Sequence, residues 1–219
     1  MRKITKDLHD HYRNTFLNHG PTSRGVDWGD KEWAAELRQT KMLEVIKDLP
    51  KQPISLLDVG CGYGALAQTI KKCSININYS GIDVVEDMVQ EAKKRNPDYS
   101  FKSGDFFEMD LGCYDYVVCN GILTQKKSAS TSEMNLYAQD LIKKMFSICK
   151  YGIAFNVMNT HVNFFKDNLY YRNPSELMAW CQSEITTHLR IDCAYDLWYE
   201  YTVYLYKTAN QNESINEKK

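Results

Sequence analysis

The residues best equipped for chemistry by type and spacing are three aspartates and a run of glycines. Asp58 stands two positions before Gly60-Cys61-Gly62-Tyr63-Gly64, Asp83 lies 25 positions after it, and Asp105 belongs to Ser103-Gly104-Asp105-Phe106. A glycine loop between a strand and a helix reaches positive φ angles and lets a ligand lie directly on the backbone. A carboxylate ending the second strand can accept hydrogen bonds from both hydroxyls of a ribose. One following the third strand can accept from an adenine amino group, with Phe106 flanking the ring. Gly60-x-Gly62-x-x-Ala65 also satisfies the dinucleotide fingerprint, so a nicotinamide or flavin enzyme competes. Asp58 argues against it, because an acidic residue there has the wrong sign for a pyrophosphate. Three acids at successive strand ends, with no basic partner at the loop, suit a cationic, phosphate-free nucleoside.

These residues need strands to carry them, and the chain supplies an alternating pattern. A helix is expected from about Trp28 to Leu49, with Met42, Val45, Ile46 and Leu49 on one face and Pro50 and Pro53 ending it. Ile54 to Val59 reads as a buried strand running into the glycine loop. A helix follows with Leu66, Thr69, Ile70 and Cys73 inward. Ile77 to Val84 is a strand, and Val85, Met88, Val89 and Ala92 stripe the next helix. Tyr99 to Ser103, Tyr114 to Cys119 and Gly152 to Val157 are further strands. Ser130-Thr131-Ser132-Glu133 reads as a capping box before a helix with Met134, Tyr137, Ala138, Leu141, Ile142 and Met145 inward. Asn173-Pro174 opens another helix. Arg190 to Ala194 and Tyr199 to Lys207 read as an antiparallel pair.

Strands alternating with helices imply an α/β fold, a doubly wound Rossmann-like sheet of seven strands. It is mostly parallel, with an antiparallel C-terminal hairpin and helices on both faces. The division expected is an N-terminal helical arm or lid over residues 1–40, a main domain over 41–207 and a disordered tail over 208–219.

The chain's 219 residues leave room for one such domain. With 27 basic against 28 acidic side chains it lacks the broad positive field of a nucleic-acid binder. No run approaches the ~20 apolar residues of a membrane span, and the charged start is not followed by a signal core. The chain is therefore read as cytoplasmic, without membrane or nucleic-acid partners. Its seven cysteines form no CxxC pair and no Cys/His ligand set. His9 and His11 would face apart on a helix, so no metal site is expected.

In four segments the sequence resembles the class I S-adenosylmethionine-dependent methyltransferases, of the small-molecule type. They are Leu56 to Gly64, Gly81-Ile82-Asp83-Val84 with Met88, Gly104-Asp105-Phe106, and Tyr114 to Gly121. The resemblance covers about residues 40–207 and implies S-adenosylmethionine as cofactor and S-adenosylhomocysteine as product. It implies that Asp58 and the glycines, with Cys61, border the methionine moiety and that Asp83 takes the ribose. Asp105 and Phe106 would take the adenine, and Asn120 and Gly121 would lie beneath the sulfonium.

In such a displacement the protein mainly aligns and desolvates, and a base is needed only if the acceptor must lose a proton. Asn120-Gly121-Ile122-Leu123 lacks the pattern of enzymes that methylate exocyclic base amines, and Cys119 is not followed by proline as in cytosine-C5 enzymes. Thr124 stands where small-molecule members often carry a histidine. The aromatic segment Asn159 to Arg172 is a candidate substrate lid, with His161 the candidate base, Arg172 an anion contact, and Tyr170 and Tyr171 beside it. From the N-terminal segment, Tyr12 would cover the pocket as a second candidate catalytic group, and Arg24 would hold a carboxylate or phosphate. The expectation is methyl transfer to a small polar metabolite, at an oxygen of a sugar or phosphorylated intermediate, by a monomer or homodimer. The alternatives are nitrogen, RNA or protein methylation, and a non-catalytic protein that binds the same cofactor.

Overall fold

The computed structural model describes residues 1–47 and 53–207. Two helices come first, α1 (Lys3–His19) and α2 (Glu32–Leu43). The alternating core follows as β1 (Ile54–Val59), α3 (Ala65–Cys73), β2 (Ile77–Asp83), α4 (Glu86–Arg95), β3 (Ser100–Ser103) and β4 (Tyr114–Cys119). Then come α5 (Thr131–Ile148), β5 (Cys149–Asn159), the two-residue β6 (Tyr171–Arg172), α6 (Pro174–Glu184), β7 (Leu189–Asp192) and β8 (Glu200–Tyr206). The strands form one sheet of order β3-β2-β1-β4-β5-β8-β7, with β6 added beside the end of β5. Strand order reverses between β1 and β4, and their carboxyl ends mark the crevice where ligands bind in such sheets.

Where the sequence pattern was strongest, the elements follow it. The six residues Met134, Tyr137, Ala138, Leu141, Ile142 and Met145 are the buried face of α5. Ser130 and Glu133 close their capping box with reciprocal hydrogen bonds. Asn173 caps α6 by accepting from the Ser175 amide, with Pro174 as its first residue. Two cores result, one on each side of the sheet. One packs α5 and α6 on the strands, and the other packs α2, α3 and α4.

Several expectations need correction. α2 starts at Glu32 because Gly29, at φ +75°, turns the chain after Trp28. It stops at Leu43, where the Val45 amide reaches back to Met42 in a tighter turn. Val45 is still buried, but from a turn, and Leu49 and Pro50 lie outside the described residues. Cys73 is exposed, since α3 ends on it and Ser74 takes a left-handed conformation. β5 runs well beyond Gly152–Val157, because β4 and β8 pair with it on either side. β8, antiparallel to both neighbours, sits inside the sheet, so β7 is the edge and runs with the parallel strands. Residues 1–40, expected as a helical arm, contain the long helix α1 and the first part of α2. The boundary expected at residues 40–41 falls within α2, and the tail over 208–219 lies outside the described residues.

No helix among the described residues is long and apolar enough to cross a membrane. None of their His, Cys, Asp and Glu side chains gather into a group that could hold a metal ion. The burial pattern of α5 has a direct test. Leu141→Ala, at 1% exposure, should lower unfolding free energy by about 3 kcal/mol in urea titrations. Leu136→Ala on the same helix, at 65% exposure, should stay within about 0.5 kcal/mol of the parent.

Candidate active site

The loop after β1 is held in shape by its neighbours. The amides of Gly60 and Cys61 both donate to the Ile82 carbonyl of β2, at 2.8 and 3.0 Å. Gly60 has φ +79°, and a Cβ there would lie 2.6 Å from the Ile122 side chain. The loops after β1 and β4 therefore approach each other across the switch point at a distance only glycine permits. Asp83 fastens the other side, accepting from the Gly62 amide through Oδ2 and from the Val85 amide through Oδ1, each at 2.8 Å. Burial pushes its pKa up, and those backbone hydrogen bonds oppose the shift.

Asp58 and Asp105 differ from Asp83 in having unused oxygens. Oδ2 of Asp58 accepts from the Tyr79 hydroxyl at 2.7 Å, while its Oδ1 is buried without a partner. Burial raises the Asp58 pKa to about 7, the Tyr79 hydrogen bond pulls against that, and Asp83 adds to it. Oδ1 of Asp105 accepts from the Phe107 amide at 3.0 Å, and its Oδ2 is likewise buried and unpartnered. Asn120 has a third unpartnered acceptor in its Oδ1, and its amide nitrogen is 3.5 Å from Oε1 of Gln39. None of the three aspartates forms an ion pair among the described residues.

One cavity joins these groups. Asp58, Gly60, Cys61, Gly62, Asp83, Val84, Met88, Gly104, Asp105, Phe106, Asn120 and Gly121 all line it. So does Tyr12, whose hydroxyl is turned inward, 3.5 Å from the Gly121 carbonyl. Desolvation, with Asp27 nearby, raises the Tyr12 pKa far above that of an ordinary phenol. The empty space amounts to about 970 Å³, including the open mouth.

The other expected contacts lie elsewhere. His161 is exposed in the loop after β5, its amide donating to Asn159 Oδ1 at 3.0 Å. Arg24 is exposed and paired with Asp30. Tyr170 is buried and donates to Asn135 Oδ1 at 2.7 Å, and Arg172 Nη1 reaches the same oxygen at 3.0 Å. Tyr171 accepts from the Lys166 amide at 3.1 Å. The segment expected as a lid is thus tied to α5 at its end, through Tyr170 and Arg172, and none of these five residues lines the cavity.

α1 covers the cavity instead. Thr5, Leu8 and Tyr12, spaced three and four apart on one helical face, point into it. Trp28 and Gln39 close the end near Gly121, where a Cβ on that glycine would lie 3.0 Å from the Trp28 ring. The stripe on α1 was present in the sequence, but no spacing signal marks Trp28 or Gln39. α1 is clasped across the mouth by surface pairs, Arg2 to Asp140 on α5 at 2.6 Å and Arg13 to Asp87 on α4 at 2.8 Å. Midway, His11 bridges Asp27 at 2.9 Å and Lys127 at 3.1 Å.

No Lys, Arg or His side chain lines the cavity among the described residues. A pyrophosphate would therefore face carboxylates without a counter-charge, and a dinucleotide fits badly. The three buried, unpartnered oxygens ask for donors and positive charge, which a phosphate-free nucleoside carrying an ammonium and a sulfonium supplies.

The raised Asp58 pKa also has a consequence for stability. Its contribution is intact below the unfolded value of 3.8 and is lost as pH rises through about 7, because the native state binds the extra proton. Asp58→Asn should gain on the parent between pH 5 and pH 8, by up to about 3 kcal/mol in paired denaturation curves.

A family profile described as a methyltransferase domain matches residues 50–210. A Mycobacterium tuberculosis protein carrying a provisional methyltransferase name is 28% identical over 162 residues, spanning 72% of this chain and 95% of its own. Among solved structures, magnesium protoporphyrin IX methyltransferase from Synechocystis PCC 6803, with bound S-adenosylmethionine, superposes with a TM-score of 0.66. The match has 16% identity and covers 95% of this chain and 99% of that one. Phosphoethanolamine N-methyltransferase 1 of Haemonchus contortus, in complex with phosphoethanolamine and S-adenosylhomocysteine, gives 0.65 at 12% identity. That match covers 95% of this chain and 50% of the longer protein. The two superpositions are likenesses of fold, and the profile extends over every strand of the sheet. The chain belongs to the class I S-adenosylmethionine-dependent methyltransferase family.

Proposed function

We propose that this enzyme methylates an oxygen or nitrogen of a small acceptor that needs no base from the protein. The observation that carries this reading is the composition of the cavity end at Gly121. Tyr12, Trp28 and Gln39 stand there, and among the described residues no lysine, arginine or histidine lines any part of the cavity. When bound, S-adenosylmethionine supplies a methyl group already activated by its sulfonium. The protein's own work is to hold, orient and exclude water.

In this reading Asp83 keeps its two amide bonds and uses its remaining lone pairs for the ribose hydroxyls. Asp105 Oδ2 accepts from the adenine amino group, with Phe106 and Met88 against the ring. Asp58 faces the ammonium, and Gly60, Cys61, Gly62, Val84 and Gly104 supply backbone and close walls. Asn120 Oδ1 and the Gly121 carbonyl border the reacting end. Tyr12 acts there as a neutral hydrogen-bond donor and a cover, because its raised pKa opposes the phenolate a base would require.

The same inventory narrows the acceptor. A phosphorylated metabolite would meet no cationic side chain among the described residues, and a sugar hydroxyl at the Gly121 end would meet Tyr12, Trp28, Gln39 and Asn120, none of them a base at neutral pH. An acidic phenol or enol that has already given its proton to water, or an amine whose pKa leaves it unprotonated near pH 7, brings a free lone pair to the methyl group. This reading therefore departs from the sugar or phosphate expected at first.

Methyl-labelled cofactor offered separately to a phenol, an amine, a sugar and a phosphomonoester tests the reading. Label should pass to the phenol or the amine, and transfer confined to the sugar or the phosphomonoester would overturn it. Tyr12→Phe should keep transfer within about tenfold of the parent, since a lost neutral hydrogen bond is worth about 1 kcal/mol. In calorimetry, S-adenosylhomocysteine should bind more tightly as pH rises from 6 to 8, because Asp58 is better ionised. Asp58→Asn should flatten that slope.

A further inference from the structure

Lys144 lies on α5, outside the cavity lining, yet it makes the densest set of hydrogen bonds to the segment that carries Asp105. Residues 105–109 form a single helical turn. The Asp105 carbonyl accepts from the Glu108 and Met109 amides at 3.0 and 3.1 Å, and Asp105 Oδ1 accepts from the Phe107 amide at 3.0 Å. A lone turn leaves its later carbonyls without partners. Nζ of Lys144 donates to three of them, Phe106 at 2.6 Å, Phe107 at 3.1 Å and Met109 at 3.0 Å. An ammonium has three protons and no acceptor, so this set uses its full capacity. The ammonium also stands 5.0 Å from the centroid of the Phe106 ring.

We infer that Lys144 is a positioning residue for adenine recognition. By converging the carbonyls of the turn on one charge, it fixes the outward direction of Asp105 Oδ2 and the plane of Phe106. Its place in α5 supports this. The buried face of that helix is anchored on the sheet, and Tyr137 of the same helix packs edge-on against Phe107 at 5.2 Å. The rigid helix thereby sets the height of a turn that follows the short strand β3. The unpartnered Asp105 Oδ2 is the group whose aim depends on this clamp. The inference rests on the reading of Asp105 as the adenine contact.

The test compares S-adenosylhomocysteine with S-inosylhomocysteine, which has a carbonyl in place of the adenine amino group. The parent should prefer the adenine form by about tenfold or more, because the hypoxanthine carbonyl opposes a carboxylate. Lys144→Met keeps most of the stem and removes the donors. It should lower that preference several-fold, and amide exchange at Phe107 to Met109 should accelerate while exchange in α5 is unchanged. Lys144→Arg keeps the charge but spreads its donors in a plane, and it should give an intermediate preference even if the methionine variant does not fold. An unchanged preference in both folded variants, or in the arginine variant when it alone folds, overturns the role of Lys144. Asp105→Asn separates the two ideas. If that variant leaves the preference unchanged, the adenine reading fails and the role of Lys144 fails with it. If it abolishes the preference while the Lys144 variants keep theirs, only the role of Lys144 fails.

Discussion

The cavity depends on a single carboxylate spanning two loops. Asp83 ends β2, accepts the Gly62 amide from the loop after β1, and accepts the Val85 amide at the start of α4. Without that bridge the glycine loop would have to satisfy its amides elsewhere, and the close contact of Gly60 with Ile122 would lose its backing. The bridge works because the accepting group is charged and the donors are fixed backbone groups. Hydrogen bonds of that kind are roughly twice as strong as neutral ones.

Around this bridge the enzyme leaves other polar groups unsatisfied. Asp58, Asp105 and Asn120 each hold a buried oxygen without a partner, which costs folding free energy in the unliganded protein. The apolar packing of α5 offsets that cost from a distance, as do the two cores on either face of the sheet. A sequence optimised for stability alone would have filled these positions with apolar side chains. These three bare acceptors all belong to residues that line one cavity. A second buried polar feature is an ion pair, though Arg38 Nη1 is also without a partner. Arg38 and Glu200 pair at 2.9 Å, and the guanidinium carbon lies 5.3 Å from the centroid of the Trp28 ring. That pair stands behind the wall of the cavity and stiffens it.

Most of the fold, and the gathering of the three aspartates and the glycine loop around one cavity, could be read from sequence because both are local. β1 and β4 were apolar runs with clear ends, and the inward face of α5 followed helical spacing without exception. Asp58, Asp83 and Asp105 stand at strand ends, so a parallel sheet brings them together whatever the detailed packing. The end of the cavity at Gly121 had no such rule. Trp28 and Gln39 reach the cavity through the path of the chain between α1 and α2, which depends on Gly29 and on contacts distant in sequence. The 160–172 loop looked like a lid because it is long and aromatic. Its fate was decided by Asn135, a residue 35 and 37 positions away from its partners, Tyr170 and Arg172.

α1 is fastened over the cavity by two physically different kinds of contact. Thr5, Leu8 and Phe16 hold the helix by burial, which added salt does not weaken. Arg2 and Arg13 hold it by solvent-facing ion pairs, whose grip fades as ions accumulate. Ionic strength can thus loosen the rim of the entrance while the apolar seat beneath stays in place.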